Sequence, residues 1–346
     1  MKLILIFFLL FLFFKPVCAQ NPGYKGYLER IKVHGKSLEG NLEGDSPDRD
    51  VSVYLPASYY LPPQRSYPVI YFLHGFTDDD AKYSGLSKHW MSLPPILDSD
   101  FKTGASKEMI VVIPNAYTRF QGSWYSNSET TGNWEDFIAE ELVGYIDAHY
   151  RTIAKAASRG LAGHSMGGYG ALRIGEKHPE IFSSIYLLSP ADISMGKRFE
   201  EVNLSDKLDS IKTIEQFNRA DFETRIIFAE AVAWSPNRAN PPFYCDLPIK
   251  NGQIQKGVLQ KWSENMPIER LEKNIGRLKQ LHAIAFDAGN RDERIATGIT
   301  LLHKRLDEYS IRNTFEIYPG THISAVAERI RLHMLPFFSA NLSFVQ

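Results

Sequence analysis

The stretch Gly163-His164-Ser165-Met166-Gly167 is the most informative part of this 346-residue sequence for its fold. It has the form G-x-S-x-G, in which a tight turn between a strand and a helix holds the serine in strained backbone geometry. The flanking glycines remove side chains that would collide in such a turn. An apolar segment precedes the motif, and a segment rich in small residues follows it. The motif therefore predicts that Ser165 is a nucleophile whose hydroxyl points out of a sheet.

Short apolar runs alternate with longer amphipathic segments along the chain, a pattern typical of a mostly parallel sheet flanked by helices. Seven runs are predicted strands: Val51–Leu55, Val69–Leu73, Met109–Ile113, Gly160–Gly163, Ser184–Leu188, Ala283–Phe286 and Thr314–Tyr318. Four segments are predicted helices: Trp134–Tyr150, Gly167–Lys177, Ile295–Tyr309 and Ser324–Phe338. Further β structure at the sheet edge is expected from Tyr27 to Asn41. The sequence thus predicts the α/β class, with a single domain over residues 20–346.

The pattern changes between Asp192 and Gln280, where polar, helix-like pieces are broken by Ser235-Pro236-Asn237 and Asn240-Pro241-Pro242. We interpret residues 192–280 as an insertion that covers the active site, because they lie between two segments with candidate catalytic residues. An ordinary surface excursion, whose aromatic side chains fill a small core of their own, stays open as the alternative.

The N-terminus has the features of a secretory signal. Lys2 precedes an apolar run from Leu3 to Phe14, and Val17-Cys18-Ala19 offers small-residue cleavage after Ala19. The run is too short for a membrane span, which needs about 20 apolar residues. We therefore expect a signal peptide over residues 1–19, a secreted or periplasmic protein and no stable membrane insertion, with a lipid-modified Cys18 as the alternative. Cleavage would leave Cys245 unpaired, which excludes a disulfide framework.

The balance of charges argues against nucleic acid as a partner. The sequence has 39 basic and 40 acidic residues, for a formal net charge of −1. Such a chain has no general attraction to nucleic acid or to an anionic membrane. No cofactor is expected either, because the chemistry that the motifs indicate is carried by side chains alone.

A serine hydroxyl needs a base within hydrogen-bond reach and an acid that orients the base. In this type of fold the three follow in the order serine, acid, histidine. His322 lies in a turn after the last predicted strand and before the last predicted helix, which predicts that it is the base. The loop after the strand at 283–286 contains three carboxylates, and we favour Asp292, which is deeper in the loop, over Asp287 at the strand end.

The negative charge that develops on an attacked carbonyl needs backbone N–H donors in place. The amide of Met166, directly after the serine, is expected to be one donor. Phe76 is expected to supply the other, because it follows His74-Gly75 at the end of a buried strand, and Gly75 allows its amide to turn inward. His74 itself is interpreted as structural.

Together these motifs resemble the putative esterase family of α/β-hydrolases, which includes S-formylglutathione hydrolase (esterase D), feruloyl esterases and the antigen 85 mycolyltransferases. The resemblance covers about residues 49–338 and includes Tyr67–Tyr71, Trp134–Phe137 and Gly320-Thr321-His322. It implies the α/β-hydrolase fold, places the acid at Asp292 and places the oxyanion amides at Phe76 and Met166. The signal sequence and the long segment at 192–280 differ from the cytosolic S-formylglutathione hydrolases.

Aromatic residues near these motifs are candidates for substrate binding, because flat rings suit aromatic or glycosidic groups. We expect Trp124, Tyr125 and Trp234 to line the pocket, although a packed loop is the alternative for the first two. The acidic run Asp78-Asp79-Asp80 is interpreted as a solvated loop tip, and no metal site is expected.

The sequence-based hypothesis is a secreted serine esterase that cleaves carboxylic esters through an acyl-enzyme. The substrates would be small-molecule or carbohydrate esters, with feruloyl or acetyl groups as candidates. Two alternatives stay open: an acyltransferase that uses the same acyl-enzyme, and a non-catalytic binding module on the hydrolase scaffold.

Overall fold

A computed structural model describes residues 24–196 and 204–345. Its centre is an eight-stranded sheet in the order β1-β2-β4-β3-β7-β8-β11-β12. Only β2 runs antiparallel to its neighbours, and the strands from β4 to β12 in this order are parallel. The strands of this sheet are β1 Tyr27–His34, β2 Asp48–Leu55, β3 Val69–Leu73, β4 Ile110–Pro114, β7 Arg159–His164, β8 Ser184–Leu188, β11 Ala283–Gly289 and β12 Thr314–Tyr318.

Two small hairpins lie outside the main sheet: β5 Asn127–Ser128 with β6 Gly132–Asn133, and β9 Ile249–Lys250 with β10 Gln253–Ile254. The helices are α1 Asp80–Tyr83, α2 Leu93–Thr103, α3 Trp134–Asp136, α4 Val143–His149, α5 Met166–Lys177, α6 Leu204–Ser210, α7 Ile214–Arg219, α8 Phe222–Trp234, α9 Lys256–Ser263, α10 Leu271–Leu278, α11 Glu293–Glu308, α12 Val326–Arg329 and α13 Leu335–Asn341. A π-helical turn joins α3 to α4 and another joins α12 to α13, so residues 134–149 and 326–341 each form one continuous helix. Short 3-10 turns lie at Lys36–Leu38 and Ala156–Ser158.

The central strands are buried on both faces because helices cover both sides of the sheet. In β3, Val69, Tyr71 and Leu73 pack into one hydrophobic core, whereas Ile70 and Phe72 pack into a second core on the opposite face. This alternation follows from the two-residue period of a strand. Residues of α5 and α11 belong to the first core, and residues of α2 and of the helix at 326–341 belong to the second. The architecture is that of an α/β-hydrolase, as the sequence predicts.

The predicted strands and helices all occur, with ends that differ by a few residues. The largest difference is at Tyr27–Asn41, which was expected to be β structure throughout. The strand ends at His34, because the chain turns there and the amide of Gly35 donates to the Pro47 carbonyl at 2.9 Å. A 3-10 turn follows, in which Leu38 is buried.

The segment between β8 and β11 contains five helices, α6 to α10, and one hairpin within its described part. Its longest helix, α8, packs against the rest of the domain: Ser128 donates to the Val232 carbonyl, and Thr130 donates to the Tyr244 carbonyl at 2.7 Å. Cys245 is a buried free thiol in this segment. The helices of this segment therefore share the main hydrophobic core.

Over residues 24–196 and 204–345, no helix is both long enough and apolar enough to cross a bilayer. The expected signal peptide at residues 1–19, including Cys18, lies outside the described residues.

Candidate active site

Ser165 lies in a strained turn between β7 and α5. Its φ and ψ are 59° and −119°, a conformation that a residue with a side chain rarely adopts. The turn is tight because Gly163 and Gly167 almost touch: a Cβ atom on Gly163 would lie 2.3 Å from the Gly167 backbone. A Cβ atom on Gly167 would lie 1.9 Å from the carbonyl oxygen of Leu73 in β3. Only glycine fits at these two positions, and the geometry lifts the serine above the sheet.

Three side chains predicted from the sequence lie in one hydrogen-bonded row. The Nε2 atom of His322 is 2.9 Å from the Oγ atom of Ser165, and its Nδ1 atom is 2.6 Å from Oδ2 of Asp292. An ionised carboxylate only accepts hydrogen bonds, so Nδ1 carries the proton and Nε2 is free to accept from the serine hydroxyl. The row has the order that a nucleophile, a base and an orienting carboxylate would have.

The sheet topology brings these residues together. The parallel strands β7, β11 and β12 end at the same edge of the sheet, with Gly289 beside Tyr318 and Asp287 beside Leu188 in register. The loops after β11 and β12 are then joined by hydrogen bonds: the Arg291 amide donates to the Gly320 carbonyl at 2.8 Å, and the Gly320 amide donates to the Asn290 side chain at 3.1 Å. Each loop therefore fixes the position of the other.

The two aspartates of the β11 loop have different surroundings. Asp287 is fully buried, accepts a hydrogen bond from the Tyr186 hydroxyl at 2.6 Å and pairs with Arg329 at 2.9 Å. Its burial raises the pKa of this carboxyl. Asp287 lies inside β11, whereas Asp292 lies beyond the strand and immediately before α11, where it contacts His322.

His164 packs against His322 and hydrogen-bonds to its backbone, a role that the sequence did not suggest. Its Nε2 atom is 2.9 Å from the carbonyl oxygen of His322, and its Nδ1 atom is 3.1 Å from the Tyr83 hydroxyl. Burial lowers the pKa of His164 to about 3, so the ring stays neutral. A neutral ring that donates from Nε2 and accepts at Nδ1 satisfies both contacts. The second residue of the G-x-S-x-G motif thus holds the loop that carries the base.

The two expected oxyanion residues flank the serine. Met166 is the first residue of α5, directly after Ser165, and Phe76 is buried in the turn after β3. A Cβ atom on Gly75 would lie 3.5 Å from the Cβ atom of Ser165, so this turn passes close to the nucleophile. Within the described residues, the Phe76 amide donates to no acceptor. A buried amide without a partner is costly, and it is suited to bind an oxygen that develops negative charge.

His74 is fully buried and makes two backbone contacts. Its Nε2 atom accepts from the Ala116 amide at 2.8 Å, and its Nδ1 atom donates to the Gly75 carbonyl at 2.8 Å. His74 therefore joins the turn after β3 to the loop after β4.

The expectation that Trp124, Tyr125 and Trp234 line the pocket is wrong for this conformation. Each of the three is at most 2% exposed. The Trp124 and Trp234 rings pack edge to face with their centroids 5.2 Å apart, and the Tyr125 hydroxyl donates to the His74 carbonyl at 3.0 Å. These rings fill the core beneath the site, because their large apolar area is better buried than left in a loop.

A different tryptophan is exposed beside the base. Trp90 is 42% exposed, and its ring centroid is 5.5 Å from that of His164. The His164 ring is in turn 4.8 Å from the ring of His322. Ile323, next to His322 in the chain, is also exposed. Sequence analysis does not point to Trp90, since it lies in a loop without a motif.

The interpretation of Asp78-Asp79-Asp80 as a solvated tip is also wrong. Asp80 is fully buried and accepts hydrogen bonds from Arg30 at 2.9 Å and from Ser52 at 2.8 Å. Asp79 caps α1 through the Lys82 amide at 2.7 Å. The acidic run begins a helix and anchors β1 and β2, because the helix N-terminus and the arginine favour negative charge there.

Comparison with protein-family models identifies the family to which most of this chain belongs. The model described as "Putative esterase" matches residues 46–325, which includes all five candidate catalytic and oxyanion residues. The chain belongs to the putative esterase family. The relatives named below carry the names of esterases.

Two curated relatives of this family member are named as esterases. An esterase of Mycobacterium tuberculosis is 35% identical over 138 residues, which is 39% of this chain and 27% of that protein. An endo-1,4-beta-xylanase/feruloyl esterase of Xylanibacter ruminicola is 28% identical over 230 residues, which is 62% of this chain and 31% of that protein. The chain therefore matches less than a third of the length of either relative.

Solved structures show that the fold is shared across the family. A ferulic acid esterase matches with a TM-score of 0.64 and 20% identity, over 92% of this chain and all of that chain. An S-formylglutathione hydrolase from Agrobacterium tumefaciens matches with a TM-score of 0.59 and 16% identity, over 94% and 99% of the two chains. A ferulic acid esterase from Anaeromyces mucronatus, solved with ferulic acid, matches with a TM-score of 0.55 and 17% identity, over 94% of each chain.

Proposed function

We propose that this family member is a secreted serine carboxylic ester hydrolase, with Ser165 as nucleophile, His322 as base and Asp292 as the orienting acid. The observation that carries the proposal is the continuous row from Ser165 Oγ through the His322 ring to Asp292, at 2.9 Å and 2.6 Å. The row stands at the carboxyl edge of the sheet, on a serine in strained geometry, where an ester can reach it.

In the first step, Ser165 Oγ attacks the ester carbonyl carbon while its proton passes to Nε2 of His322. The carbonyl oxygen becomes an oxyanion that accepts hydrogen bonds from the Phe76 and Met166 amides. The carbon–oxygen bond to the alcohol then breaks, and the alcohol leaves with the proton from His322. Asp292 stabilises the imidazolium in between, and the acyl group stays on Ser165 as an ester.

In the second step, water attacks the acyl-enzyme and gives one proton to His322. The bond to Ser165 Oγ breaks, the proton returns to the serine, and the carboxylic acid leaves. No further reactant is needed, since water supplies both the oxygen of the acid and the proton of the restored serine.

The alcohol part of the ester is proposed to be a carbohydrate. His322 has to give its proton to the leaving oxygen, so the alcohol lies on the His322 side of Ser165. Trp90 is exposed on this side, and an exposed indole ring suits stacking against the apolar face of a sugar. The names of the feruloyl esterase relatives support feruloyl esters as substrates, and acetyl esters of such sugars are the second candidate.

The helical segment from 192 to 280 is proposed to be an insertion that shapes the substrate pocket. Its helix α8 begins beside the oxyanion turn, where the Phe222 ring packs at 5.6 Å from the ring of Phe76. An element that touches the oxyanion turn and also shares the core is a pocket wall rather than a loose surface excursion.

Export is proposed to follow from the first 19 residues. The test is to express the full chain, separate cells from periplasm and medium, and sequence the N-terminus of the exported protein. A new N-terminus at Gln20 is expected, whereas a retained, acylated Cys18 would favour the lipoprotein alternative.

The proposed triad is tested by comparing two aspartates of the same loop region. Ser165→Ala should abolish hydrolysis of p-nitrophenyl acetate and methyl ferulate, and should remove labelling by a fluorophosphonate. Asp292→Asn should lower kcat by roughly 10⁴-fold with the fold intact, because the wrong histidine tautomer is then favoured. Asp287→Asn should instead lower stability, since it weakens a buried pair with Arg329. Equal activity of Asp292→Asn and the parent protein would contradict the assignment.

A further inference from the structure

Arg225, in the first turn of α8, has unused hydrogen-bonding capacity. Its Nη1 atom donates to Oε1 of Gln121 at 2.7 Å, and its Nε atom is buried without a hydrogen-bond partner. No carboxylate lies within ion-pair distance of the guanidinium among the described residues. Asp221, one turn earlier, is engaged with the amide and hydroxyl of Thr224. A half-buried guanidinium without an acid is unusual, because burying an unpaired charge is costly.

The loop after β4, whose Gln121 side chain accepts a hydrogen bond from Arg225, lies against the oxyanion site. The carbonyl of Gln121 accepts a hydrogen bond from the amide of Thr77 at 2.9 Å, directly after Phe76. A Cβ atom on the next residue, Gly122, would lie 2.9 Å from the Phe76 ring and 2.5 Å from the sulfur of Met166. The chain at 121–122 therefore touches both oxyanion residues, and Arg225 sits one side chain further out.

An exposed aromatic ring completes this surface. Phe222 is 54% exposed and packs edge to face on Phe76. The Arg225 guanidinium carbon is 5.9 Å from the centroid of the Phe222 ring. The Phe222 ring restricts the conformations of the Arg225 side chain. It also forms an apolar surface between the oxyanion site and the guanidinium.

The order of the strands shows which half of the ester would meet this surface. The leaving alcohol lies on the His322 side, after β12, because His322 protonates it. The oxyanion turn follows β3, and Gln121 follows β4. Both of these strands lie on the other side of β7 from β8, β11 and β12. An acyl group that extends away from His322 would run toward Phe222 and Arg225.

We propose that Phe222 and Arg225 form an acyl subsite that selects acyl groups ending in a carboxylate, that is, hemiesters of dicarboxylic acids. The apolar part of the chain would lie along Phe222, and the terminal carboxylate would accept from the Nη2 atom of Arg225, since the Nε atom is buried. A hydrogen bond between these two charged groups is stronger than a neutral one, while Nη1 stays on Gln121. The inference rests on the proposed function, ester hydrolysis at Ser165, and it assigns carboxylate-ended acyl groups to this site in place of the feruloyl and acetyl groups considered above.

The experiment uses two esters of similar length that differ in charge, p-nitrophenyl hemisuccinate and p-nitrophenyl valerate. The parent protein is expected to have the higher kcat/KM on the hemisuccinate. Arg225→Gln should lower kcat/KM on the hemisuccinate by roughly ten- to a hundredfold, the usual value of a charge-assisted pair, and leave the valerate within about twofold. Arg225→Lys should retain part of the preference, because lysine keeps the positive charge but lacks the planar guanidinium that can bind Gln121 and the substrate at the same time.

Two further variants separate recognition from support. Arg119→Gln removes an exposed arginine of the same loop that contacts the Glu43 carbonyl, and it should leave the preference unchanged. Gln121→Asn suits the positive φ of 69° at this position but is too short to reach Arg225, and it should keep the preference for the hemisuccinate.

The outcomes distinguish the inference from the function on which it rests. Equal rates on the two esters in the parent protein, or an equal loss on both in Arg225→Gln, would overturn the acyl subsite and make Arg225 a support for the oxyanion loop. A parent protein that cleaves neither ester and whose Ser165 is not labelled by a fluorophosphonate would overturn the proposed function itself.

Discussion

Glu176 provides a quantitative test of how the helix after the nucleophile is held in the fold. It lies near the end of α5 and is only 1% exposed. Its Oε1 atom is 3.7 Å from Nη2 of Arg270, which comes from the segment between β8 and β11. Burial raises the pKa of Glu176 from 4.5 to about 7, although Arg270 opposes this shift. Glu176→Gln keeps the size of the side chain and removes its ionisation.

A carboxyl group with a raised pKa in the folded state favours folding when it is protonated. Its contribution is fully present below pH 4.5 and is lost as the pH rises through about 7. At about 1.4 kcal/mol for each pKa unit, the interval between the two pKa values corresponds to roughly 3 kcal/mol of folding free energy. About 2.5 kcal/mol of this falls between pH 5 and pH 8.5, since the unfolded group, with a pKa of 4.5, is already about three-quarters ionised at pH 5.

The assay is urea unfolding of the parent protein and of Glu176→Gln at about pH 5 and about pH 8.5. The free energy of unfolding of the variant, relative to the parent, should increase by about 2.5 kcal/mol from the lower to the higher pH. Glu140→Gln, at an exposed position of the helix at residues 134–149, is the control and should show almost no such change. A difference between variant and parent that is the same at both pH values would refute the reasoning.

Three further predictions follow from single contacts. Gly167→Ala should prevent correct folding of the nucleophile turn, because its Cβ atom would overlap the Leu73 carbonyl; near-ultraviolet circular dichroism and fluorophosphonate labelling report the result. Trp90→Ala should lower kcat/KM about tenfold for a feruloyl sugar ester but not for methyl ferulate, whereas Trp90→Phe should retain most of it. Glu135→Gln should lower the free energy of urea unfolding by about 3 kcal/mol, since it breaks a buried pair with Arg173 at 3.0 Å; a loss below about 1 kcal/mol would contradict the burial of this pair.

The burial of the aromatic residues could not be predicted from the sequence. Trp124 and Trp234 are far apart in the chain, yet their rings pack together because α8 lies against the hairpin of β5 and β6. Trp90 has the same side chain and is exposed, because its loop ends beside His164 rather than under a helix. The composition of a loop does not show which of its rings another element will cover.

The sequence by itself determined the features that depend on local chemistry. The G-x-S-x-G turn follows from the clash that any side chain on Gly163 or Gly167 would cause. The strands follow from the short apolar runs, and the helices follow from the amphipathic segments between them. Chain order was enough to propose His322 and to favour Asp292. Only the tertiary structure decided which aspartate contacts the base, because Asp287 lies inside β11 and pairs with Arg329, whereas Asp292 lies beyond the strand and contacts His322. It also decided the surroundings of Arg225 and Trp90, since these depend on contacts between strands and helices that are far apart in the chain.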